Sequence, residues 1–173
     1  NGGAGFIPIG SAVNNAFTGF YDGQNHTIDA LFINKSTKCA GLFGFISNAS
    51  ISNLGLTNVN ITCNLGSVGA LIGEMHTSTI DNCYSTGTVS SISVSPNYGG
   101  GGLIGTSGVD DNNSSAITNC YSSCSVSGKY CNGGLIAYLN SGSISDSYSS
   151  GNVTSTGAYT GGLVGRVPGY MGI

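Results

Sequence analysis

A Gly-Leu-aliphatic-Gly segment recurs five times along the chain and constrains the fold more than any other feature. Its leucines stand 29, 32, 32 and 28 residues apart, and repeats of about 20 to 50 residues indicate solenoids or propellers. The copies are Gly41-Leu42-Phe43-Gly44, Gly69-Ala70-Leu71-Ile72-Gly73, Gly102-Leu103-Ile104-Gly105, Gly134-Leu135-Ile136-Ala137 and Gly162-Leu163-Val164-Gly165. A chain with this period builds its core by stacking copies of one unit.

Each glycine-leucine segment is followed by two further β-favouring segments. The second segments begin at Ile51, Ile80, Ile117 and Ile144, and the looser third segments contain Val59, Val89, Val126 and Val153. Short segments separated by Gly, Asn and Ser turns, without a helical period, predict an all-β fold. We expect a parallel β-helix (β-solenoid) with three short strands per coil and about 28–32 residues per repeat. The predicted single domain spans 1–173, with a lead-in coil at 1–38 and repeats at 39–173, the last truncated.

The repeat register predicts which side chains stack on one another. Equivalent positions in neighbouring coils lie about 4.8 Å apart, so each residue contacts mainly its own copies. We expect inward ladders of the five motif leucines and of the four isoleucines, and a solvent-facing ladder of Tyr84, Tyr121 and Tyr148. The motif glycines are expected at tight corners that require positive φ angles.

Composition excludes several classes of protein. Only 6% of residues are charged, but 39% are hydrophobic and recur at fixed spacing, which favours an ordered chain over a disordered one. The net charge is −3, and the basic residues are scattered rather than clustered, so no nucleic-acid partner is expected. No apolar run approaches the roughly 20 residues that cross a bilayer, so no membrane insertion is expected.

Six cysteines form an even set, which in a secreted chain predicts disulfides. The pairs that we expect are Cys39 with Cys63 and Cys124 with Cys131. Cys83 and Cys120 share one inward ladder position with Leu54 and Ser147, so these two either form a bond or pack as small apolar residues. No metal site is predicted, because the spacing lacks paired Cys-x-x-Cys motifs.

Seven Asn-x-Ser/Thr sequons are candidates for N-glycosylation. They lie at Asn25, Asn34, Asn48, Asn60, Asn112, Asn113 and Asn152. An extracellular chain with so few charges would be kept soluble by glycans on its exposed corners.

The sequence argues against an enzyme. Parallel β-helices that cleave polysaccharides use grouped carboxylates, whereas the acids here are dispersed; Asp81 and Asp146 are expected in one column without forming a close pair. We therefore predict neither catalytic residues nor a cofactor. The alternative is a carbohydrate-binding or carbohydrate-active β-helix in which Tyr84, Tyr121 and Tyr148 stack against sugar rings.

The repeated units resemble the GLUG motif, named for its Gly-Leu-aliphatic-Gly core and found in bacterial and archaeal surface proteins, adhesins and non-catalytic parts of some immunoglobulin A peptidases. The opening residues 6–10 and 17–28 also resemble the lead-in coil that precedes such repeats. The departures are Phe43 at the aliphatic position and Ala137 at the closing glycine. The resemblance implies a β-helical spacer or adhesive stalk at a cell surface and supplies no catalytic residues.

The last repeat bears on the expected partners. The sequence stops at 169–173, inside the fifth copy and without a polar cap, and an open solenoid end exposes unpaired backbone groups. We therefore expect head-to-tail or lateral contact with copies of the same chain, or further repeats of a longer one. The leading hypothesis is an extracellular structural or adhesive protein, as a stalk segment or filament subunit.

Overall fold

The computed structural model describes residues 3–36, 38–108 and 115–168, which wind into a parallel β-solenoid. A lead-in coil is followed by four coils and the beginning of a fifth. Within the described ranges, the helical element is a single 3-10 turn at Val13–Asn15. None of this part of the chain forms a helix long and apolar enough to cross a membrane.

The ten-stranded sheet, here called sheet A, forms the widest side of the solenoid. Its strands are Phe20–Asp29, Phe32–Lys35, Ser50–Cys63, Thr79–Ser91, Ala116–Thr118, Tyr121–Ser122, Ser125–Gly128, Ser143–Ser145, Tyr148–Ser149 and Val153–Ser155. Neighbouring strands are parallel and pair copy with copy, as in Ile51 with Ile80 and Ile117 with Ile144.

The other two sides are five-stranded sheets, called sheet B and sheet C. Sheet B consists of Phe43–Ser47, Ile72–His76, Ile104–Ser107, Ile136–Leu139 and Val164–Arg166. Sheet C consists of Cys39–Ala40, Ser67–Gly69, Gly100–Gly101, Asn132–Gly133 and Thr160–Gly161. The predicted three-sided parallel β-helix is therefore confirmed.

The assignment of segments to sides differs from the prediction. The second and third segments of each repeat both lie in sheet A, and in two coils they form one continuous strand. The third side is made by the two or three residues that precede each motif leucine. These strands are too short to show a β pattern in the sequence. The glycine-leucine segment was therefore predicted as one side of the coil, although it forms the corner between two sides.

Both predicted apolar ladders fill the interior. Leu71, Leu103 and Leu135 are fully buried, as are Ile80 and Ile117. The members in the last coil, Ile144 and Leu163, are half-buried and pack against the same cluster. Burial of such side chains contributes about 1.5–3 kcal/mol each, so the ladders are the main source of stability. The departures from the motif, Phe43 and Ala137, are also fully buried.

The motif glycines are required for close approach, and the expected positive φ angles are wrong for them. The glycines with positive φ are Gly3, Gly5, Gly10, Gly87, Gly108 and Gly142, all outside the motif. At Gly41, instead, a β-carbon would lie 2.8 Å from the carbonyl oxygen of Gly69 and 3.0 Å from the backbone nitrogen of Ile72 in the next coil. The turn is too tight for any side chain.

Positive φ angles occur instead in a column of asparagines on sheet A, which we call the asparagine ladder. Asn53, Asn82, Asn119 and Asp146 have φ of 55°, 49°, 53° and 49°. Asn82 Nδ2 donates to Asn53 Oδ1 at 2.8 Å, so the amides also bond coil to coil. Asp146 belongs to this column, whereas Asp81 pairs in register with Thr118. The expected shared column for Asp81 and Asp146 is therefore wrong by one residue.

Candidate functional site

The tyrosine ladder lies on sheet A and stacks as predicted. Tyr84 pairs in register with Tyr121, and Tyr121 with Tyr148. The ring centroids of the first pair are 4.9 Å apart at an interplanar angle of 1°, and those of the second pair are 5.1 Å apart at 4°. This spacing is set by the strand separation of the sheet.

Stacking closes most of the ring faces that a sugar would need. Each inner face of the ladder is covered by the next tyrosine, and the remaining face of Tyr84 lies over Gly55, where a β-carbon would be 2.5 Å from the tyrosine hydroxyl. The outer face of the Tyr148 ring remains open to solvent, and this residue is 55% exposed. The ladder is therefore chiefly a packing device between coils.

A second candidate site, which we call the sheet B cleft, lies on the outer face of sheet B. Its floor is one register column that takes a residue from each coil, immediately after the motif's closing position. The column consists of Phe45, Glu74, Thr106, Tyr138 and Arg166. Segments outside the repeat cover this face, so Phe45, Glu74 and Thr106 are buried although they point away from the core ladders.

The cleft contains two adjoining cavities. One of about 660 Å³ is lined by residues 11–14 of the lead-in coil together with Lys38, Phe45, Glu74 and Tyr98. The other, of about 290 Å³, is lined by Glu74, Asn97, Tyr98, Thr106, Tyr138 and Asn140. Glu74 and Tyr98 line both cavities and form the partition between them.

Glu74 is the central polar group of the cleft. Its Oε1 lies 2.9 Å from His76 Nε2, and its Oε2 accepts a hydrogen bond from the Cys39 thiol at 3.3 Å. A carboxylate offers about four acceptor positions, so these two partners leave room for a ligand on each oxygen. The contact also determines the state of Cys39, because burial and the nearby negative charge raise the pKa of its thiol.

The six cysteines are all buried. Cys83 and Cys120 stack as expected: Cys83 pairs with Leu54, and Cys120 N donates to Ser147 Oγ. Cys131 Sγ donates to the carbonyl of Pro96 at 3.0 Å, whereas Cys124 packs in the main cluster. Cys63 lies near Cys39 and is one of the groups that raise the pKa of the Cys39 thiol. The disulfide pairings stay predictions.

Four of the six thiols are poor nucleophiles in these surroundings, those of Cys39, Cys83, Cys124 and Cys131, whereas the hydrogen bond with Cys83 lowers the pKa of Cys120. The hydrogen bond with Cys120, followed by burial, raises the pKa of Cys83, and burial raises the pKa values of Cys124 and Cys131. A thiol must lose its proton to attack carbon or to bind a metal. Among the described residues, no three His, Cys, Asp or Glu side chains form a group that could hold a metal ion.

The sequon asparagines that the structure describes are all exposed. They are Asn25, Asn34, Asn48, Asn60 and Asn152. Asn25 also accepts a hydrogen bond from Asn82 at 3.2 Å. Asn112 and Asn113 lie outside the described residues, as does the end of the chain at 169–173.

The sheet B cleft was missed in the sequence because its walls do not repeat. The floor column did carry a signal, since the residue after the closing motif position changes from Phe45 to a charged Glu74 and then to Tyr138. Residues in outward columns vary more from coil to coil than residues in the core ladders do. This change alone therefore did not mark a site. The walls at 11–14 and 92–98 have no copies that fix their position.

The comparisons with known proteins agree with the fold and the repeat. The family model of the GLUG motif matches residues 64–90. A protein of Bacteroides ovatus whose crystal structure is known, named a "putative immunoglobulin A1 protease", has a similar fold. It superposes on this chain with a TM-score of 0.80 at 23% identity, covering 95% of this chain and 51% of that one. At this identity the likeness shows the fold alone.

A curated relative is similar over nearly the whole sequence. Halomucin from Haloquadratum walsbyi is 41% identical over 167 residues, which are 95% of this chain and 2% of halomucin. The chain therefore spans a small fraction of that relative's length. With the repeat register, the motif match at 64–90 and this similarity in place, the resemblance to GLUG-motif surface proteins that the sequence indicated is confirmed.

Proposed function

We propose that the chain is a rigid structural segment of an extracellular or cell-surface protein. The observation that carries the proposal is the parallel pairing of neighbouring coils, which runs from Phe20–Asp29 to Val153–Ser155 in sheet A and from Phe43–Ser47 to Val164–Arg166 in sheet B. Each coil adds about 4.8 Å along the axis and rests on its neighbours alone. Such a stack is suited to holding distance at a surface.

The surface location is supported by the relative and by the exposed sequons. Halomucin matches over 95% of this chain, and Asn34, Asn60 and Asn152 project from sheet A into solvent. N-glycans at these positions would clear both the core and the sheet B cleft. We therefore include glycosylation in the proposal, with adhesion as a role that the exposed sides of the stalk could serve.

A non-enzymatic role fits the chemistry of the described residues. Burial raises the pKa values of the Cys39, Cys124 and Cys131 thiols, and Glu74, the best-placed carboxylate, has a His76 partner instead of a second carboxylate. A pair of carboxylates that hydrolyses glycosides would lie about 5–10 Å apart. Asp81 and Asp146, by contrast, lie in different register columns of sheet A. The tyrosine ladder as a sugar-stacking surface is disfavoured by its closed ring faces.

Labelling of intact cells tests the location. Antibodies raised against the folded chain should label unpermeabilised cells that produce the full-length protein, and a membrane-impermeant amine reagent should modify Lys35, Lys38 and Lys129 on those cells. A cytoplasmic protein serves as the negative control. Labelling that appears only after permeabilisation would contradict a surface role.

A further inference from the structure

We propose that the sheet B cleft binds a neutral saccharide of two or more sugar units. The inference goes beyond the structural role, because a spacer needs no ligand. It also places the site on a different side of the solenoid from the tyrosine ladder. Four properties of the cleft lead to this ligand class: its shape, its hydrogen-bonding groups, its aromatic rings and its balance of charge.

The shape of the cleft fits an elongated ligand. Cavities of about 660 and 290 Å³ compare with the roughly 300–1,000 Å³ of typical small-molecule sites. Because the floor residues Phe45, Glu74, Thr106 and Tyr138 come from successive coils, the two cavities follow one another along the solenoid axis. Two cavities that share the partition of Glu74 and Tyr98 provide adjoining subsites for linked sugar rings.

The hydrogen-bonding groups of the cleft suit hydroxyl groups. Glu74 is 9% exposed and lines both cavities, so its remaining acceptor positions face the two subsites. Asn97 and Asn140 line the smaller cavity, and each amide provides two donors and an acceptor. Vicinal sugar hydroxyls both donate and accept, and they match a carboxylate flanked by amides.

Two tyrosine rings provide apolar surface beside these polar groups. Tyr98 and Tyr138 both line the smaller cavity, and Tyr138 Oη donates to Asn140 Oδ1 at 3.2 Å, which fixes the orientation of its ring. Arg166 covers one side of Tyr138, with its guanidinium carbon 5.1 Å from the ring centroid. Aromatic side chains combine a large apolar face with a polar tip, as the CH faces and hydroxyl rims of sugars require.

The balance of charge argues against an ionic ligand. Lys38 lines the larger cavity opposite Glu74, and Arg166 Nη1 donates to Asn97 Oδ1 at 3.1 Å beside the smaller one. These cations would repel an amine or a metal cation, whereas the Glu74 carboxylate would repel an anion. Glu74 is already partnered by His76 and Cys39, and Arg166 by Asn97, so a neutral ligand with many hydroxyls is the class that gains most.

Glycan binding by the whole chain tests the proposal. A panel of neutral oligosaccharides of two to four glucose, galactose, mannose or N-acetylglucosamine units should contain at least one ligand, whose affinity is then measured by titration calorimetry. Tyr98→Ala and Glu74→Gln should each weaken that ligand about tenfold or more, since truncating a central aromatic or a buried polar contact costs at least this much. Tyr148→Ala, at the exposed end of the tyrosine ladder, should leave the affinity unchanged.

Several outcomes would overturn the proposal. These are the absence of any bound oligosaccharide in the panel, binding that is lost in Tyr148→Ala but kept in Tyr98→Ala, and a preference for charged glycans over neutral ones. Circular dichroism of each variant ensures that lost binding is not lost folding. Because Glu74→Gln keeps the side-chain shape, it separates ligand contact from any rearrangement that Tyr98→Ala causes in segment 92–98. None of these results bears on surface labelling, so the structural proposal is tested independently.

Discussion

At the scale of single residues, the asparagine ladder solves a conformational problem that the repeat creates in every coil. The sheet A strand bends at one position per turn, and the bend needs a left-handed backbone that costs most residues about 1–2 kcal/mol. Asparagine tolerates this conformation, and its amide can bond to the next coil, as Asn82 does to Asn53 at 2.8 Å. One residue type thus serves both the bend and the contact between coils.

This dual role predicts different costs for two substitutions at one site. Asn82→Ala should lower the free energy of unfolding by roughly 2 kcal/mol, because alanine loses the amide bonds and also strains the positive φ. Asn82→Gly loses the same bonds but accepts the φ of 49°, so it should be less destabilising than Asn82→Ala by about 1 kcal/mol. Urea unfolding followed by circular dichroism measures both.

The matched pair at Asn53, where φ is 55°, serves as a repeat of the experiment in another coil. Equal destabilisation by alanine and glycine at both sites would mean that the backbone angle contributes nothing. The sequence could not have indicated this role, because Asn-x-x patterns also occur in ordinary exposed turns. The reason lies in the φ angle, which a repeat pattern does not reveal.

At the scale of elements, the lead-in strand is tied to the first full coil by two carboxylates. Asn53 Nδ2 donates to Asp22 Oδ1 at 2.9 Å, and Asp29 Oδ1 accepts from Thr57 Oγ1 at 2.6 Å and Asn58 Nδ2 at 2.8 Å. The side-chain bond from Asn53 lowers the pKa of Asp22, and that from Thr57 lowers the pKa of Asp29, from an ordinary value of 3.8.

The direction of these pKa shifts predicts which strand loses its protection first as the pH falls. A carboxyl whose pKa is lowered by folding stabilises the fold at pH values above its ordinary 3.8, and the contribution is lost as pH falls through the lowered value. Strand Phe20–Asp29 should therefore lose hydrogen-exchange protection below about pH 3.8, after correction for intrinsic rates, while strand Thr79–Ser91 keeps it. Asp22→Asn with Asp29→Asn should remove this pH dependence. Simultaneous loss of protection in both strands would contradict the prediction.

The elements also show how far sequence reasoning reaches. The leucine, isoleucine and tyrosine ladders could be predicted because each has several copies in register, and five copies make a period unambiguous. The sheet C strands and the cleft walls could not, since a two-residue strand such as Gly100–Gly101 has no pattern and segment 92–98 occurs once. The cleft depends on where that single segment folds back against sheet B, which the repeats do not determine.

At the scale of the whole molecule, the core ladders are less completely covered in the final described coil than in the coils before it. Ile144, Val153 and Leu163 are half-buried, whereas the equivalent Ile80, Val89 and Leu103 are fully buried. The next coil of a longer chain, or a coil of another copy, would cover this surface. We propose that stacking of this kind is how the segment is used, whether within one chain or between chains.

Association in solution tests the intermolecular form of this proposal. The purified chain should show a weight-average mass in multi-angle light scattering that rises with protein concentration. Ile144→Lys, which places a charge on the apolar end surface, should shift the chain toward the monomer, and circular dichroism of the variant distinguishes lost association from lost folding. A mass equal to one chain at every concentration would contradict head-to-tail stacking of separate copies.

Apart from the bonds of Asp22, Asp29 and Asp81, the cohesion between coils is carried by groups without net charge: backbone amides, aliphatic side chains, stacked tyrosines and asparagine amides. Only 6% of the residues are charged. Dissolved ions weaken attraction between charges, but they have little to screen in these contacts, and salts that are excluded from protein surfaces strengthen apolar burial. We expect a solenoid built this way to keep its shape in dilute water and in brine alike, so ionic strength should not limit where the proposed surface segment can be displayed.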